Sequence, residues 1–283
     1  MMDRMTKREY SVLMSVYYKD HPEYVRAAIE SMLQQTEPPA ELVLVCDGQL
    51  GEALNRVIED YARKIVLLRL KKNQGLGMAL KEGIKICRCE LVARMDSDDI
   101  SAKSRCALQL DYLEEHPEVD VLSGTLAEFE GAACTEAEVV NTNAVKSLKR
   151  LPEHDAELKR YMCRRNPLNH PCVMFRKSKV EAAGGYRSYH LFEDYDLWLR
   201  MAGHGATFAN IQDVLLYMRI NHMYARRGGF AYARAIMAFQ REMYRNKWIT
   251  LPQFFCFTIL RVGVSLMPDK LRQVIYKVRL REH

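Results

Sequence analysis

The 283-residue chain is 48% hydrophobic and 28% charged with a formal net charge of +6, an ordinary composition for a globular protein with ample material for a core. Residues 241–283 carry nine Lys and Arg against three acids, which accounts for the whole excess; nucleic acid is therefore a poor partner for the balanced main body, and a negatively charged surface suits the tail. The eight cysteines are scattered, and Cys87-Arg88-Cys89 fits neither a zinc knuckle nor a redox pair, so they read as small buried hydrophobes of a reducing cytoplasm.

Residues 1–10 are charged and lack the apolar core of a secretory signal. YSVLMSVYY (10–18) suits a buried strand, and His21-Pro22 opens a helix with Val25, Ala28, Ile29, Met32 and Leu33 on one face. ELVLVCDG (41–48) predicts a second buried strand ending in Asp-Gly, then a helix with Leu54, Val57, Ile58 and Tyr61 on its apolar side. KIVLLRL (64–70) predicts a third strand, KKNQGLG a loop, and a helix continues to about Ile86. LVARM (91–95) is a fourth strand, residues 102–115 a helix stopping at His116-Pro117, and VDVLSGTLAEF (119–129) another strand. The small, polar residues of 130–152 break the alternation and read as an insertion or flap. Beyond them come a short strand CVMFRK (172–177), a helix ending at the glycines of VEAAGGY, a helix over 193–205, a strand VLLYMRI (214–220), and helices over 229–246 and 252–281.

Strand–helix alternation of this kind predicts a parallel sheet with helices on both faces and ligands at the carboxyl ends of the strands. Asp47, the 73–77 loop and Asp96, Asp98 and Asp99 all fall at those ends. Three carboxylates within four positions repel one another and need something positive. Asp-x-Asp suits a hard divalent ion that accepts a diphosphate as co-ligand; the competing role, capping the next helix, needs only one Asp, so the ion is preferred. Asp47-Gly48 offers an acceptor to a base or ribose, and is equally a common turn pair. Asn73 to Gly77 provides glycines where backbone approaches a ligand and a helix N-terminus for phosphate, without matching a Walker or dinucleotide fingerprint. In FEDYDLWLRM (192–201), Glu193 and Asp194 open a helix with Leu197, Trp198 and Met201 on its apolar face. Those acids serve either the helix dipole or as a general base. His170 and His222, each seen alone, read as structural.

In order, SVLMSVYYKD, LVLVCDG, NQGLG, ARMDSDD, NHPCVMFRKS, GGY, EDYDLWLRM and VLLYMRINH resemble the family 2 glycosyltransferases of GT-A fold, the bacterial capsule, exopolysaccharide and O-antigen type, over roughly residues 10–225. The resemblance implies an α/β, Rossmann-like, mainly parallel sheet flanked by helices. It implies a GT-A domain over 1–225, with a nucleotide-binding half to about 129 and an acceptor half from 130, followed by a helical region 226–283. It assigns Val16, Tyr17 and Asp47 to the nucleotide base and Asp96 to ribose and phosphate, with Asn73, Gly75, Arg94 and Ser97 in the same nucleotide-sugar site. Asp98 is implied to hold Mn²⁺ or Mg²⁺ on the donor diphosphate, with His222 as a further metal or diphosphate ligand. Asp194 is implied as the base, with Glu193 beside it, and His170, Trp198 and Arg219 as the acceptor or donor-sugar region. The implied reaction is inverting transfer from a nucleotide-sugar, UDP-linked, to a saccharide or polyprenyl-diphosphate-linked acceptor. The chain departs from the pattern at Lys81-Glu82-Gly83, where many relatives have Asn, and at Val16-Tyr17-Tyr18, where they have a proline; it lacks the QxxRW of polymerising members, which implies single addition.

Two other functions share parts of this pattern. A nucleotidyltransferase needs a basic glycine-rich loop after its first strand, which SVYYKDHPEY lacks; a non-catalytic nucleotide-sugar binder has no use for Glu193-Asp194. The uncharged run WITLPQFFCFTIL (248–260) is 13 residues long, short of the roughly 20 needed to span a bilayer. It either packs on the domain or, with the basic residues after it, makes 248–283 a patch for an anionic membrane surface on the cytoplasmic face of the inner membrane.

Overall fold

The computed structural model describes residues 8–189, 191–221, 228–268 and 271–272. Its first half follows the alternation: β1 (Tyr10–Val16), α1 (Pro22–Leu33), β2 (Glu41–Cys46), α2 (Glu52–Asp60), β3 (Val66–Arg69), α3 (Leu76–Ile86) and β4 (Leu91–Met95). β3, β2, β1 and β4 pair in that order, all parallel. β2 is buried throughout and β1 nearly so, as continuous Val/Leu runs require when helices cover both faces.

The second half comprises β5 (Ile100–Ser101), α4 (Arg105–Glu115), β6 (Val121–Phe129), α5 (Glu136–Asn141), β7 (Val145–Lys149), α6 (Asp155–Met162), a 3₁₀ turn (His170–Cys172), β8 (Met174–Arg176), α7 (Lys177–Ala182), α8 (Glu193–Gly203), β9 (Phe208–Arg219), α9 (Gly229–Arg245) and α10 (Leu251–Leu266). The sheet continues β4-β8-β6-β9-β5, with β7 beside β6. β8 is antiparallel to both neighbours, so β6 and β9, parallel to each other, point the same way as β4. The result is a mixed, mostly parallel sheet with its strand carboxyl ends on one side.

Three expectations are corrected here. Residues 130–152 are not merely a flap: Thr135 caps α5 through its side chain, and β7 pairs antiparallel with β6. β9 begins well before residue 214 and shifts register opposite Gly124 and Thr125, a break that hides half the strand from an apolar-run reading. α4 starts at Arg105, after β5, rather than at 102.

The sheet separates two apolar layers because strand residues alternate. Met14, Ala93 and Met95 meet α1, α2 and α4, while Leu13, Val43, Val45 and Val92 meet α3 and α8. α9 joins the second layer through Tyr232, Ile236, Phe239 and Met243, with Phe239 stacked 4.6 Å from Phe192. Phe254, Phe257 and Val262 of α10 pack on the same layer. The packing reading of the tail therefore holds for these helices' inner faces. All eight cysteines are free.

Candidate functional site

The loops leaving β1, β2 and β4 are tied into one unit. Asp47, immediately after β2, is buried and its carboxylate accepts the backbone N–H of Gln74 (2.7 Å) and Gly75 (2.9 Å), while Asn73 Nδ2 donates to its carbonyl (3.2 Å). Asp47 thus holds the loop that opens α3. Gly48 has φ +89°, and a Cβ there would lie 2.6 Å from Asn73 N, so this turn demands glycine. Asn73 and Gly75, expected beside the nucleotide, are brought against Asp47. Tyr17, half-buried at the end of β1 next to buried Val16, donates its N–H to Asp20 Oδ2 (3.0 Å).

β4 delivers the aspartates. Asp96 pairs with Arg94, a buried guanidinium whose Nε and Nη1 have no partner. Ser97 Oγ donates to Asp20 Oδ2 (2.8 Å), so Asp20 staples the β1 loop to the aspartate loop. Burial, with Asp98 and Asp96 nearby, pushes the Asp20 carboxyl up to about 7 despite those two hydrogen bonds. Asp99 is buried; its Oδ1 accepts the N–H of Arg219 (2.8 Å), its Oδ2 has no partner, and burial next to Asp98 and Asp96 holds it well above the carboxylate range. None of the three aspartates caps α4, whose N-cap is Ser104. The helix-capping alternative fails on geometry.

α8 delivers the second pair. Asp194 Oδ1 accepts the N–H of Tyr195 (2.7 Å) and Oδ2 the side-chain amide of Asn166 (2.5 Å). Burial raises its pKa, and those hydrogen bonds with Arg94 and Lys149 pull it back. Glu193 is raised to about 7, by burial and by Asp194, with Arg94 opposing and Asp96 adding to the rise. The pair and the β4 aspartates therefore share one electrostatic neighbourhood around Arg94. A Cβ on Gly77 of α3 would stand 2.4 Å from the Arg187 carbonyl and 3.0 Å from Glu193 Cβ, so its missing side chain lets the opening of α3 seat against that of α8. His170 is buried behind Asp194, with Nδ1 4.0 Å from Oδ2 and Nε2 hydrogen-bonded to Tyr186 OH (2.7 Å). Burial and Arg94 hold its pKa well below the usual value, so it is a neutral wall rather than an ion-pair partner.

Two of the expected site residues, Trp198 and Arg219, make their contacts with the protein itself. Trp198 is fully buried, edge-on to His170 at 5.9 Å between ring centroids, because it lies on the apolar face of α8 that meets the sheet. Arg219 spends its guanidinium on the carbonyls of Asp98 (3.0 Å), Gly131 (2.5 Å) and Ala133 (2.7 Å), between the rings of Tyr24 and Phe129; it braces the aspartate loop from behind. His222 lies outside the described residues. Asp20, Asn166 and Tyr186 escape a reading of the sequence; the only hint is Asn166 directly before Pro167. Buried Arg105 was also missed: it donates to the carbonyls of Arg94 (2.7 Å) and Val173 (3.3 Å) and locks the end of β4 to β8. A cavity of about 550 Å³ lined by Tyr112, His116, His154, Phe208 and Asn210 lies at the opposite, amino ends of β6 and β9. It contains none of these groups, and ligands of such sheets bind at the carboxyl ends.

Among the described residues no three acids, histidines or cysteines form a ready metal cage. Asp96 and Asp98 present carboxylate oxygens, the donor type that a hard divalent ion takes when a diphosphate brings its remaining ligands.

The sequence model described as Glycosyl transferase family 2 matches residues 11–165. The UDP-Gal:alpha-D-GlcNAc-diphosphoundecaprenol beta-1,3-galactosyltransferase of Escherichia coli is 37% identical over 276 residues, covering 96% of this chain and 97% of that protein. The amylovoran biosynthesis glycosyltransferase AmsE of Erwinia amylovora is 36% identical, covering 95% and 98%. In structure, the mannosyltransferase PcManGT of Pyrobaculum calidifontis, in complex with GDP-Man and Mn²⁺, superposes with a TM-score of 0.62 at 13% identity, over 96% of this chain and 75% of that one. S. aureus TarS with UDP-GlcNAc gives 0.62 at 17%, over 83% and 66%. The fold is that of the GT-A glycosyltransferases, and with relatives at this identity along nearly its whole length, the chain belongs to glycosyl transferase family 2.

Proposed function

We propose that this glycosyltransferase inverts the anomeric centre, moving a hexosyl or N-acetylhexosaminyl group from a UDP-linked donor to a lipid-linked saccharide. The observation that carries the site assignment is the meeting of two carboxylate groups around Arg94 at the strand carboxyl ends. Asp194 takes the acceptor hydroxyl proton as that oxygen attacks the anomeric carbon, and the bonding pair of the broken C–O bond leaves on the diphosphate. Such base assistance is typically worth about 10²–10⁴-fold. Asn166 and the Tyr195 N–H aim the carboxylate, while Arg94 favours its ionised form. Val16, Tyr17, Asp47 and the 73–75 loop form the nucleotide end of the crevice, and Asp96 with Ser97 lies toward the phosphates. Asp98 would hold Mn²⁺ or Mg²⁺, which when bound neutralises charge on the leaving diphosphate. In the division we propose, residues 1–129 serve the donor and 130–225 the acceptor.

The relative named for a diphosphoundecaprenol-linked sugar supports a polyprenyl-diphosphate-linked acceptor, and the one named for amylovoran biosynthesis supports a role in polysaccharide synthesis. That acceptor has the protein working peripherally on the cytoplasmic face of a membrane. None of the described helices is long and apolar enough to cross one. The test is a panel of nucleotide-sugars with a short-chain lipid diphosphate sugar as acceptor, read as free nucleotide and extended lipid. Acceptor-dependent nucleotide release with one donor is expected; binding of nucleotide-sugars without any turnover favours the non-catalytic binder.

A further inference from the structure

α10 is amphipathic the wrong way round for a helix whose far side meets water. Its exposed positions are Leu251, Pro252, Phe255, Cys256, Ile259, Leu260, Gly263 and Leu266. Phe255 is 56% exposed, Ile259 69% and Leu260 56%, and no side chain on this stripe is charged or a strong hydrogen-bonding group. The polar side chains turn inward instead: Ser265 is buried, and half-buried Arg261 donates to the Arg164 carbonyl (3.2 Å). α9 also exposes Phe230, Met237 and Tyr244 at seven-residue spacing, which keeps them on one side of that helix. Tyr244 touches Phe254 at 5.7 Å, so the end of α9 adjoins the start of α10, and there Arg241, Arg245 and Lys247 are exposed. No Asp or Glu occurs from Met243 to Pro268.

We infer that the outer face of α10 is an in-plane membrane anchor, with its apolar stripe among the acyl chains and Arg241, Arg245 and Lys247 on anionic phospholipid headgroups. A protein partner fits less well, since protein interfaces carry about one hydrogen bond per 100–200 Å² and this stripe offers almost none. At 16 residues the helix is about 24 Å long, too short to cross a bilayer but long enough to lie along its surface. The basic flank, three cations against the single acid Glu242, gives the charge complementarity that selects an anionic leaflet. The inference deepens the lipid-linked acceptor reading and takes its biological meaning from it, while the surface is tested separately.

Full-length protein is sedimented with phosphatidylcholine vesicles, with and without phosphatidylglycerol, at low and high salt. Binding to the phosphatidylglycerol vesicles is expected, weakened by salt as screening removes its electrostatic part. The double substitution Phe255→Glu with Ile259→Glu, at exposed positions that leave the inner face intact, should lower vesicle partition at least about tenfold. Arg241→Glu with Arg245→Glu should abolish the preference for phosphatidylglycerol. Light scattering after size exclusion monitors association. Wild type that stays in the supernatant at low salt, or undiminished binding by the double variant, overturns the anchor. So does a dimer that the double variant turns into monomer, which would give the face to a second copy. Vesicle binding with no transfer from any nucleotide-sugar leaves the anchor standing and removes the functional reading; transfer to a water-soluble acceptor without vesicle binding does the reverse.

Discussion

Asp96, Asp98 and Asp99 sit on a loop leaving a strand, whereas Glu193 and Asp194 sit in the first turn of a helix. The loop aspartates crowd one another: Asp96 has Arg94, Asp99 is driven toward its neutral form, and Asp20 is pressed against them. The helical pair instead receives a positive helix end, an amide from Asn166 and the field of Arg94. Carboxylates of one chemistry thus sit in two settings, one crowded by like charge on a loop, the other raised by burial and steadied by hydrogen bonds and Arg94.

The largest effect is expected at the loop. Asp98→Ala should abolish transfer, and excess chelator should do the same to wild type, both read by nucleotide release. Full turnover in EDTA would erase the distinction between the clusters. On the helix, Asp194→Asn keeps shape and removes the base, so kcat should fall at least about 10²-fold with donor affinity by calorimetry nearly unchanged. If Glu193→Gln is the crippled variant instead, the two carboxylates exchange roles.

Arg94 links the clusters, and its charge lowers the pKa of both α8 carboxyls. Replacing it by Met should therefore raise the pKa of the base and move the acid limb of the kcat profile to higher pH, while Lys restores much of the wild-type profile. A profile that keeps its limb while the protein merely loses stability would reduce Arg94 to scaffold.

The smallest effect concerns Asp20, whose carboxyl is raised from 3.8 to about 7, first by burial. A raised acid binds more protons folded than unfolded between those values, so its contribution to stability is lost as pH rises through that window. Asp20→Asn can retain one oxygen for the Tyr17 N–H and Ser97 Oγ. In chelated protein it should raise Tm at pH 8, by up to a few kcal/mol of stability, with the advantage vanishing by about pH 4. An equal gain at both pH values would show that charge is not the cause.

The order of elements and the position of the crevice were legible because they depend on local pattern. Apolar runs of strand length alternate with helical periodicity through residue 129, and a parallel sheet puts the loop after each strand on one side. The motifs around Asp47, Asp98 and Asp194 were legible by resemblance, as acids at fixed places in that order. Tertiary structure alone decided what each group touches. β7 is a strand because it returns beyond α5 to pair with β6 rather than because of its own composition. Arg219 and Trp198 looked like ligand-facing residues, yet three backbone carbonyls and a packed helix face claim them. Asp20, 77 positions from Ser97, and Asn166, 28 from Asp194, meet their partners only after the sheet closes. Hydrogen bonds and burial between residues so far apart are fixed by packing and leave no period in the chain, whereas strand and helix patterns are written within a few residues of one another.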